Sequence, residues 1–167
     1  MTNSSLMIDM DYKIRKIEET EYPLLKDFLY EAIFVPEGVE PPPMSILDTP
    51  ELQVYISGFG SEPHDIALIA EADNKAVGAV WVRIMNDYGH IDDETPSFAI
   101  ALYKEYRGLG IGTEMMKAML AVLKARGYMQ ASLAVQKANF AVKMYRRVGF
   151  EIVDENDEEY IMVNHLR

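Results

Sequence analysis

A glycine-rich turn between an apolar strand and an amphipathic helix constrains this sequence more than any other feature. Gly108, Gly110 and Gly112 stand between an apolar segment from about Pro96 to Tyr103 and a helical pattern from about Ile111 to Arg126. Glycine loses more backbone freedom on folding than any other residue, so this density needs a reason. A strand-to-helix turn presents unpaired N–H groups beside the positive end of the helix dipole. The turn can therefore hold a phosphate group, and a tight turn without a ligand is the alternative.

The rest of the chain alternates between strand and helix patterns. Strands are predicted at residues 12–17, 64–73, 75–85, 96–103, 129–135, 150–154 and 159–165. Helices are predicted at residues 21–34, 50–57, 111–126 and 139–148, with Thr20 as the cap of the first and Gly127 after the third. Asp73–Asn74 predicts a hairpin turn. The strand–helix–strand unit from 96 to 135 requires a parallel crossover, so we expect an α/β fold with a mixed sheet.

Composition narrows the function classes. The formal net charge of −11 argues against a nucleic-acid partner, because nucleic-acid binding needs a basic surface. The negative charge could attract a cationic partner, or it could serve only to keep the protein soluble. There is no cysteine, and the three histidines lack metal-ligand spacing, so neither a thiol nucleophile nor a metal is expected. No long apolar run predicts a membrane span, and without a signal-peptide pattern the cytoplasm is the expected location.

The residues around the glycines exclude two familiar phosphate loops. A Walker-type loop needs Lys-Ser or Lys-Thr after its last glycine, whereas Thr113–Glu114 follow here. The glycine spacing also differs from that of a dinucleotide fingerprint. What the spacing matches is R-x-x-G-x-G, at Arg107, Gly110 and Gly112.

Two segments of the chain together resemble the GNAT superfamily of acyl-CoA-dependent N-acetyltransferases. They are "AIALYKEYRGLGIGTEMMKAML" and "SLAVQKANFAVKMYRRVGFEIV", and the resemblance at this level covers about residues 96–154. It implies a GNAT-like fold with about seven strands and about four helices, in one domain over residues 1–167. The implied co-substrate is acetyl-CoA.

The resemblance also implies which residues hold that co-substrate. The pyrophosphate would sit on the Arg107–Thr113 loop, and the pantetheine arm would run beside the preceding strand like an added strand. Asn139 matches an asparagine that contacts the cofactor arm, although capping of the following helix is an equal explanation. The implied cofactor-binding residues are Ala101, Leu102, Tyr103, Arg107, Gly108, Leu109, Gly110, Ile111, Gly112, Thr113, Asn139 and Tyr145.

In such enzymes an amine attacks the thioester, and the departing thiolate needs a proton. Tyr145 matches the family's general acid, and a phenol is protonated at neutral pH. A core aromatic on an amphipathic helix is the alternative for Tyr145. The backbone N–H of Leu102 is the implied donor to the tetrahedral oxyanion.

The general base is where the sequence departs from the family. Many similar proteins carry a glutamate where this chain has Ser97, and serine is not basic enough near neutral pH. Glu71 and Glu94 are the main candidates for the base. The further candidates are Glu37, Asp92 and Asp93.

The acceptor is not named by the sequence. A small-molecule amine and a protein or peptide amino group both remain open, and the net charge favours a cationic one. Specificity is expected from the Val35–Ile46 loop, Trp81, Arg83 and Tyr88. An acyl-CoA-binding sensor with little catalysis is the alternative function, and a homodimer through a strand edge is compatible with this fold.

Overall fold

A mixed seven-stranded sheet runs through the part of the chain that the computed structural model describes, residues 11–167. The strands are β1 (Tyr12–Lys16), β2 (Ile66–Ala72), β3 (Lys75–Arg83), β4 (Ser97–Leu102), β5 (Gln130–Gln136), β6 (Glu151–Glu155) and β7 (Glu159–His165). Their order is β1-β2-β3-β4-β5-β7-β6, and the β4–β5 pair is parallel while all other neighbours are antiparallel. The predicted mixed sheet is confirmed.

Within residues 11–167, four α-helices cover the two faces of the sheet. They are α1 (Leu24–Ala32), α2 (Pro50–Gln53), α3 (Ile111–Ala125) and α4 (Ala141–Arg147). Short 3-10 turns at Glu19–Glu21, Met44–Asp48 and Lys104–Tyr106 join some of these elements. None of the helices in this range is long and apolar enough to cross a bilayer. The predicted α/β architecture with about four helices is confirmed.

Side chains alternate along the strands and so supply two separate cores. On one face, Phe98, Leu133 and the methionine stripe of α3 pack together with Tyr145 of α4. On the other face, Trp81 and Ala101 pack against Leu25 and Phe28 of α1. The sheet therefore lies between two helical layers, and β4 contributes to both.

Two local predictions are wrong in detail. The first helix begins at Leu24 and not at residue 21, because Glu18 and Glu21 form a capping box around a 3-10 turn that contains Thr20. Thr20 makes no side-chain cap. The second helix ends at Gln53 and does not reach residue 57. After Gln53 the backbone carbonyls accept hydrogen bonds from side chains of β3. Trp81 donates to the Tyr55 carbonyl, and Arg83 donates to the carbonyls of Val54 and Ser57.

The predicted turns are confirmed. Asp73 and Asn74 have φ values of 53° and 62°, the left-handed pair that a two-residue hairpin requires. Gly127 follows α3 with φ of 91°, as a left-handed C-terminal cap does.

Candidate active site

The site begins where β4 and β5 separate. These parallel neighbours are in register at Ser97 and Ser132, where the Ser132 N–H donates to the Pro96 carbonyl at 2.9 Å. Beyond this point the strands diverge, and a cavity of about 270 Å³ opens between them. Its walls include Phe98, Ala99 and Ile100 of β4 and the residues from Leu133 to Gln136 of β5. Since these residues point to both faces, the opening passes through the sheet, and we call it the wedge.

The β4 edge that faces the wedge carries backbone groups without a strand partner. The Tyr103 N–H donates to Val77 of β3 at 2.9 Å, while the Pro96 carbonyl is used by β5. Backbone direction alternates along a strand, so Ile100 and Leu102 direct their N–H groups toward the wedge. The Leu102 carbonyl accepts from Arg107 Nε at 2.9 Å. An extended ligand could pair with this edge, as the prediction for Ala101–Tyr103 requires.

The glycine turn follows β4 along the chain and packs beside its end, where a Cβ built on Gly112 would lie 3.7 Å from the Leu102 side chain. Gly108 and Gly110 have φ values of 76° and 88°, and nothing lies within 4 Å of a Cβ built on either residue. Glycine is therefore required there by backbone conformation and not by crowding. The first bond of α3 runs from the Glu114 N–H to the Gly110 carbonyl, which leaves the N–H groups of Ile111, Gly112 and Thr113 without helical partners.

Two other residues of this turn, Arg107 and Leu109, attach it to the rest of the fold. Leu109 packs against the core, and the guanidinium of Arg107 is held by the carbonyls of Leu102 and Glu31, at 2.9 and 3.3 Å. The Arg107 side chain thus secures the turn to β4 and α1. The backbone donors, rather than this side chain, are the groups available to an anion.

Tyr145 lies in the wall of the wedge, with its ring packed against Phe150. The residue is only 8% exposed, and burial raises the pKa of its phenol to about 12. In the described part of the chain no fully buried side-chain oxygen or nitrogen lacks a partner. Since no hydrogen bond involves the Tyr145 hydroxyl there, that hydroxyl opens into the wedge.

Asn139 also lines the wedge. Its Oδ1 accepts from the Ala141 N–H at 2.9 Å, so the capping role at the start of α4 is real. This bond leaves the two amide hydrogens of Asn139 available to a ligand.

A polar cluster that sequence reasoning missed lies on the α1 side of the wedge. The Tyr55 hydroxyl donates to Asp87 Oδ2 at 3.0 Å, and Ser97 Oγ donates to Asp87 Oδ1 at 3.3 Å. Burial raises the pKa of the Asp87 carboxyl, although both hydroxyls oppose the shift. The Ser132 hydroxyl completes the cluster by donating to the Gly89 carbonyl at 2.7 Å.

Glu159 at the start of β7 is the second residue that the sequence did not reveal. It pairs with Gln136 of β5 and lines the wedge. Burial raises the pKa of its carboxyl, and the charges of Glu158 and Asp87 raise it further. The only available signal was its place among several acidic residues of the β6–β7 turn, which does not distinguish it from the others.

The structure does not bring the predicted bases to the wedge. Glu71 accepts from Arg15 Nε at 2.8 Å and lies 3.5 Å from Lys13 Nζ, and the Arg15 bond holds the pKa of that carboxyl below its usual value. Glu94, with Asp92 and Asp93, lines a separate groove beside Tyr128. Asp92 accepts from Thr95 and from the Glu94 N–H, so these acidic residues build a turn.

The predicted specificity residues are also placed elsewhere. Trp81 is fully buried, and Arg83 is buried in a bidentate pair with Asp65 at 3.1 Å. Tyr88 is exposed, and Pro42 of the proline loop accepts from the Tyr30 hydroxyl at 2.6 Å. Phe34, next to that loop, lines the wedge.

Comparison with known proteins assigns the chain to a family. The model of the acetyltransferase (GNAT) family matches residues 21–150, which is more than half of the chain. The chain therefore belongs to the acetyltransferase (GNAT) family. The resemblance predicted from Arg107–Gly112 and the segment after it is confirmed.

Individual relatives agree with this assignment. N-alpha-acetyltransferase 50 of Danio rerio is 31% identical over 101 residues, which are 59% of this chain and 59% of that protein. The ribosomal protein bS18-alanine N-acetyltransferase of Haemophilus influenzae is 32% identical over 68 residues, which are 41% of this chain and 47% of that protein. The chain thus spans less than two thirds of the length of the curated relatives it matches.

A solved structure shares the fold over nearly the whole chain. It is the PaiA N-acetyltransferase of Thermoplasma acidophilum in complex with coenzyme A, with a TM-score of 0.69 and 20% identity. The match covers 93% of this chain and 99% of that one.

Proposed function

We propose that this chain transfers an acetyl group from acetyl-CoA to a primary amine by direct attack on the thioester. The observation that carries the proposal is the wedge between β4 and β5, whose β4 side leads along the strand toward the glycine turn at the start of α3. A ligand held by the turn and extended along the β4 edge would reach the middle of the sheet. Family membership and the coenzyme A complex of a protein with the same fold support this choice of donor.

Three free N–H groups, at Ile111, Gly112 and Thr113, fit the pyrophosphate of acetyl-CoA. The unpaired edge of β4 fits the amide groups of the pantetheine arm, which would bond to the strand at Ile100 and Leu102. The Leu102 N–H would then lie near the thioester carbonyl as the oxyanion donor. The amide hydrogens of Asn139 would contact the arm from the β5 side.

Tyr145 would serve as the general acid that protonates the departing sulfur. Its phenol is protonated at every physiological pH because burial raises its pKa to about 12. Its hydroxyl has no partner in the described chain and opens into the wedge where the thioester would lie. A hydroxyl held for packing alone would not need that opening.

The acceptor would be the amino group of a small molecule or of a protein. The relatives named above include one named for α-amino acetylation and one named for the alanine of a ribosomal protein. On its α1 side the wedge is lined by Glu159 and by Tyr55, whose hydroxyl is bonded to Asp87, and this lining suits an amine better than an anion.

Calorimetry with coenzyme A and a free-thiol assay with acetyl-CoA and a panel of amines test the proposal. We expect coenzyme A to bind and at least one amine to cause thiol release above the rate of hydrolysis. Failure to bind coenzyme A would overturn the proposal. Tight binding with no turnover on any amine would instead favour the acyl-CoA sensor.

A further inference from the structure

Two carboxylates from distant parts of the chain lie on the same side of the wedge: Glu159 lines the cavity, and Asp87 is bonded to Tyr55, which also lines it. Glu159 pairs with Gln136 of β5 and therefore lies on the same sheet face as Ser132. That face is covered by the loop that carries Asp87, because Ser132 donates to Gly89 of this loop. Tyr145 belongs to the core on the opposite face. The wedge thus has the Tyr145 phenol on one face and the Glu159 carboxylate on the other, with Asp87 bonded to Tyr55 of its wall.

Neither carboxylate has a cationic partner among residues 11–167. The ion pairs formed there by lysine, arginine and histidine involve other acidic residues. Asp87 is bonded by the hydroxyls of Tyr55 and Ser97, and no side-chain bond involves the Glu159 carboxylate. Partly buried charges of like sign without a counter-charge are costly, so this arrangement is unfavourable until a cation binds.

A second, independent observation points to a ligand in this cavity. Tyr145 is more than nine-tenths buried, and its hydroxyl has no partner in the described chain while lining the same cavity as Glu159 and Tyr55. A phenol donor and a carboxylate acceptor across one cavity are the pair that amine acylation requires.

We propose that Glu159 binds the acceptor as an ammonium ion and then takes a proton from it, with Asp87 as a positioning residue. The acceptor class is a primary amine that carries no carboxylate beside its nitrogen. This inference rests on the proposed acetyl transfer and adds the base and the charge of the substrate.

The proton balance assigns one task to each group. The bound ammonium gives one proton to Glu159, and the neutral nitrogen attacks the thioester carbon. A nitrogen–carbon bond forms, the carbon–sulfur bond breaks, and Tyr145 protonates the sulfur. The second nitrogen proton returns to the Tyr145 oxygen, and Glu159 releases its proton to solvent. The products are an amide, coenzyme A and one proton.

The other residues that line the cavity indicate what kind of group the acceptor carries next to its nitrogen. On the α1 side the cavity is lined by apolar residues, among them Leu29, Ile33, Phe34 and Leu52. These suit an aliphatic stem behind the ammonium group. A free amino acid would bring its carboxylate toward Glu159 and Asp87 and would be repelled. A diamine and a peptide amine both have the required chemistry.

The first test is Glu159→Gln, with Glu151→Gln as the matched control. Glu151 is an exposed residue of β6 outside the cavity, and its charge is not among those that act on Glu159, so its substitution removes the same charge away from the site. Loss of a general base lowers turnover by about 10²-fold or more, so we expect kcat/KM of Glu159→Gln to fall by at least that factor. Glu151→Gln should stay within about threefold of the wild type, and coenzyme A affinity should not change in either variant. Because the Glu159 pKa is raised in the fold, removing its charge should not destabilise the protein at neutral pH.

The second test is the pH profile of kcat/KM in Asp87→Asn. The charges of Asp87 and Glu158 raise the pKa of Glu159. The charge of Glu159 in turn raises the pKa values of Tyr55 and Tyr88. Removing the Asp87 charge lowers the Glu159 pKa, so the acid limb should move to lower pH. A structural role for Asp87 would lower activity without moving the limb.

The third test compares acceptors with the wild type: 1,4-diaminobutane, a peptide amide with a free amino terminus, and glycine. We expect turnover of the diamine or the peptide, which identifies the source, and at least tenfold lower kcat/KM for glycine. Full activity of Glu159→Gln, or a preference for glycine, would overturn this inference. Absence of turnover with every amine in the wild type would instead overturn the proposed acetyl transfer.

Discussion

At the residue scale, Tyr145 combines a packed ring with a free hydroxyl. The ring lies 6.1 Å from that of Phe150, and the hydroxyl opens into the wedge. A phenylalanine keeps the first property and removes the second. The two alternatives considered for Tyr145, core aromatic and general acid, can therefore be separated by one substitution.

We expect Tyr145→Phe to lower kcat by about 10²-fold or more, because general acids contribute about that factor. Coenzyme A affinity and thermal stability should change little, since the hydroxyl has no partner in the described chain. In the wild type, a phenol with a pKa of about 12 should produce no fall in rate between pH 7 and 10. Thiol-release kinetics measure the first effect, and unchanged kcat would assign Tyr145 to packing alone.

Glu71 provides a contrasting prediction about stability. Arg15 bonds both Glu71 and Glu21 at 2.8 Å and so ties β1 to β2 and to the turn before α1. We expect Glu71→Gln to lower the melting temperature at pH 7 without lowering kcat. The pKa of Glu71 is depressed in the fold, so its contribution is present above its ordinary pKa of 4.5 and is lost as the pH falls below that value.

Thermal melts of Glu71→Gln and the wild type between pH 3 and 8 check this expectation. The two melting temperatures should converge at the acid end. A loss of kcat with unchanged stability would restore Glu71 as a candidate base.

At the scale of elements, the glycine turn is defined by two different constraints. Gly110 has φ of 88° in open space, whereas Gly112 lies in the first turn of α3 with its nearest contact, Leu102, at 3.7 Å from a built Cβ. A methyl group therefore strains the backbone at the first position and fits at the second.

Gly110→Ala should reduce stability by about 1 kcal/mol and weaken coenzyme A binding, because the strained turn misdirects its N–H groups. Gly112→Ala is the matched control and should gain about 0.5–1 kcal/mol from higher helix propensity while it still binds coenzyme A. Denaturant unfolding and calorimetry measure both effects. Equal behaviour of the two variants would contradict a conformational role for Gly110.

The predictable parts of the fold are those determined by local pattern. The Gly108–Gly112 turn, the Asp73–Asn74 hairpin and the α3 stripe all rest on neighbouring residues, and the structure confirms them. The predicted cap at Thr20 was wrong because Glu21 is bonded by Arg15, a residue of another element, and this bond could not be predicted from the local sequence.

The acidic side of the wedge could not be predicted for the same reason. Tyr55, Asp87, Ser97 and Glu159 are far apart in the chain, and each taken alone reads as a turn or surface residue. Only the sheet order, with β7 beside β5 and the loop after β3 folded over β5, brings them together. Burial then shifts the pKa values of both carboxylates, and the sequence carries no local sign of that burial.

At the scale of the whole molecule, the sheet consists of two antiparallel parts joined by one short parallel contact. β1 to β4 form one part, and β5 to β7 form the other. A ligand that bonds to both sides of the wedge would therefore stabilise the connection between them.

We expect coenzyme A to raise the melting temperature, with a gain of about 2.7 kcal/mol at a concentration of 100 times its Kd. Amide exchange should slow at Ile100 and Leu102 when the ligand pairs with the β4 edge. Amide exchange at β2 should slow only by the amount that the overall gain in stability causes. Differential scanning fluorimetry and hydrogen exchange measure these effects, and unchanged exchange at β4 would place the ligand elsewhere.

β4 is joined to β5 only at Ser97 and Ser132, so a small change in the angle between the two strands at this contact displaces the far end of β4. Leu102 lies five residues beyond Ser97 in β4, a distance of about 16 Å at about 3.3 Å per residue. A change of about 5° in the angle between the strands would move that end by about 1.4 Å, and displacements near 1 Å can cost about 10²-fold in rate. The hydroxyls that hold Ser97, Ser132 and Gly89 together would thus set the angular tolerance of the proposed reaction, since the proposed cofactor turn lies beyond the other end of the strand.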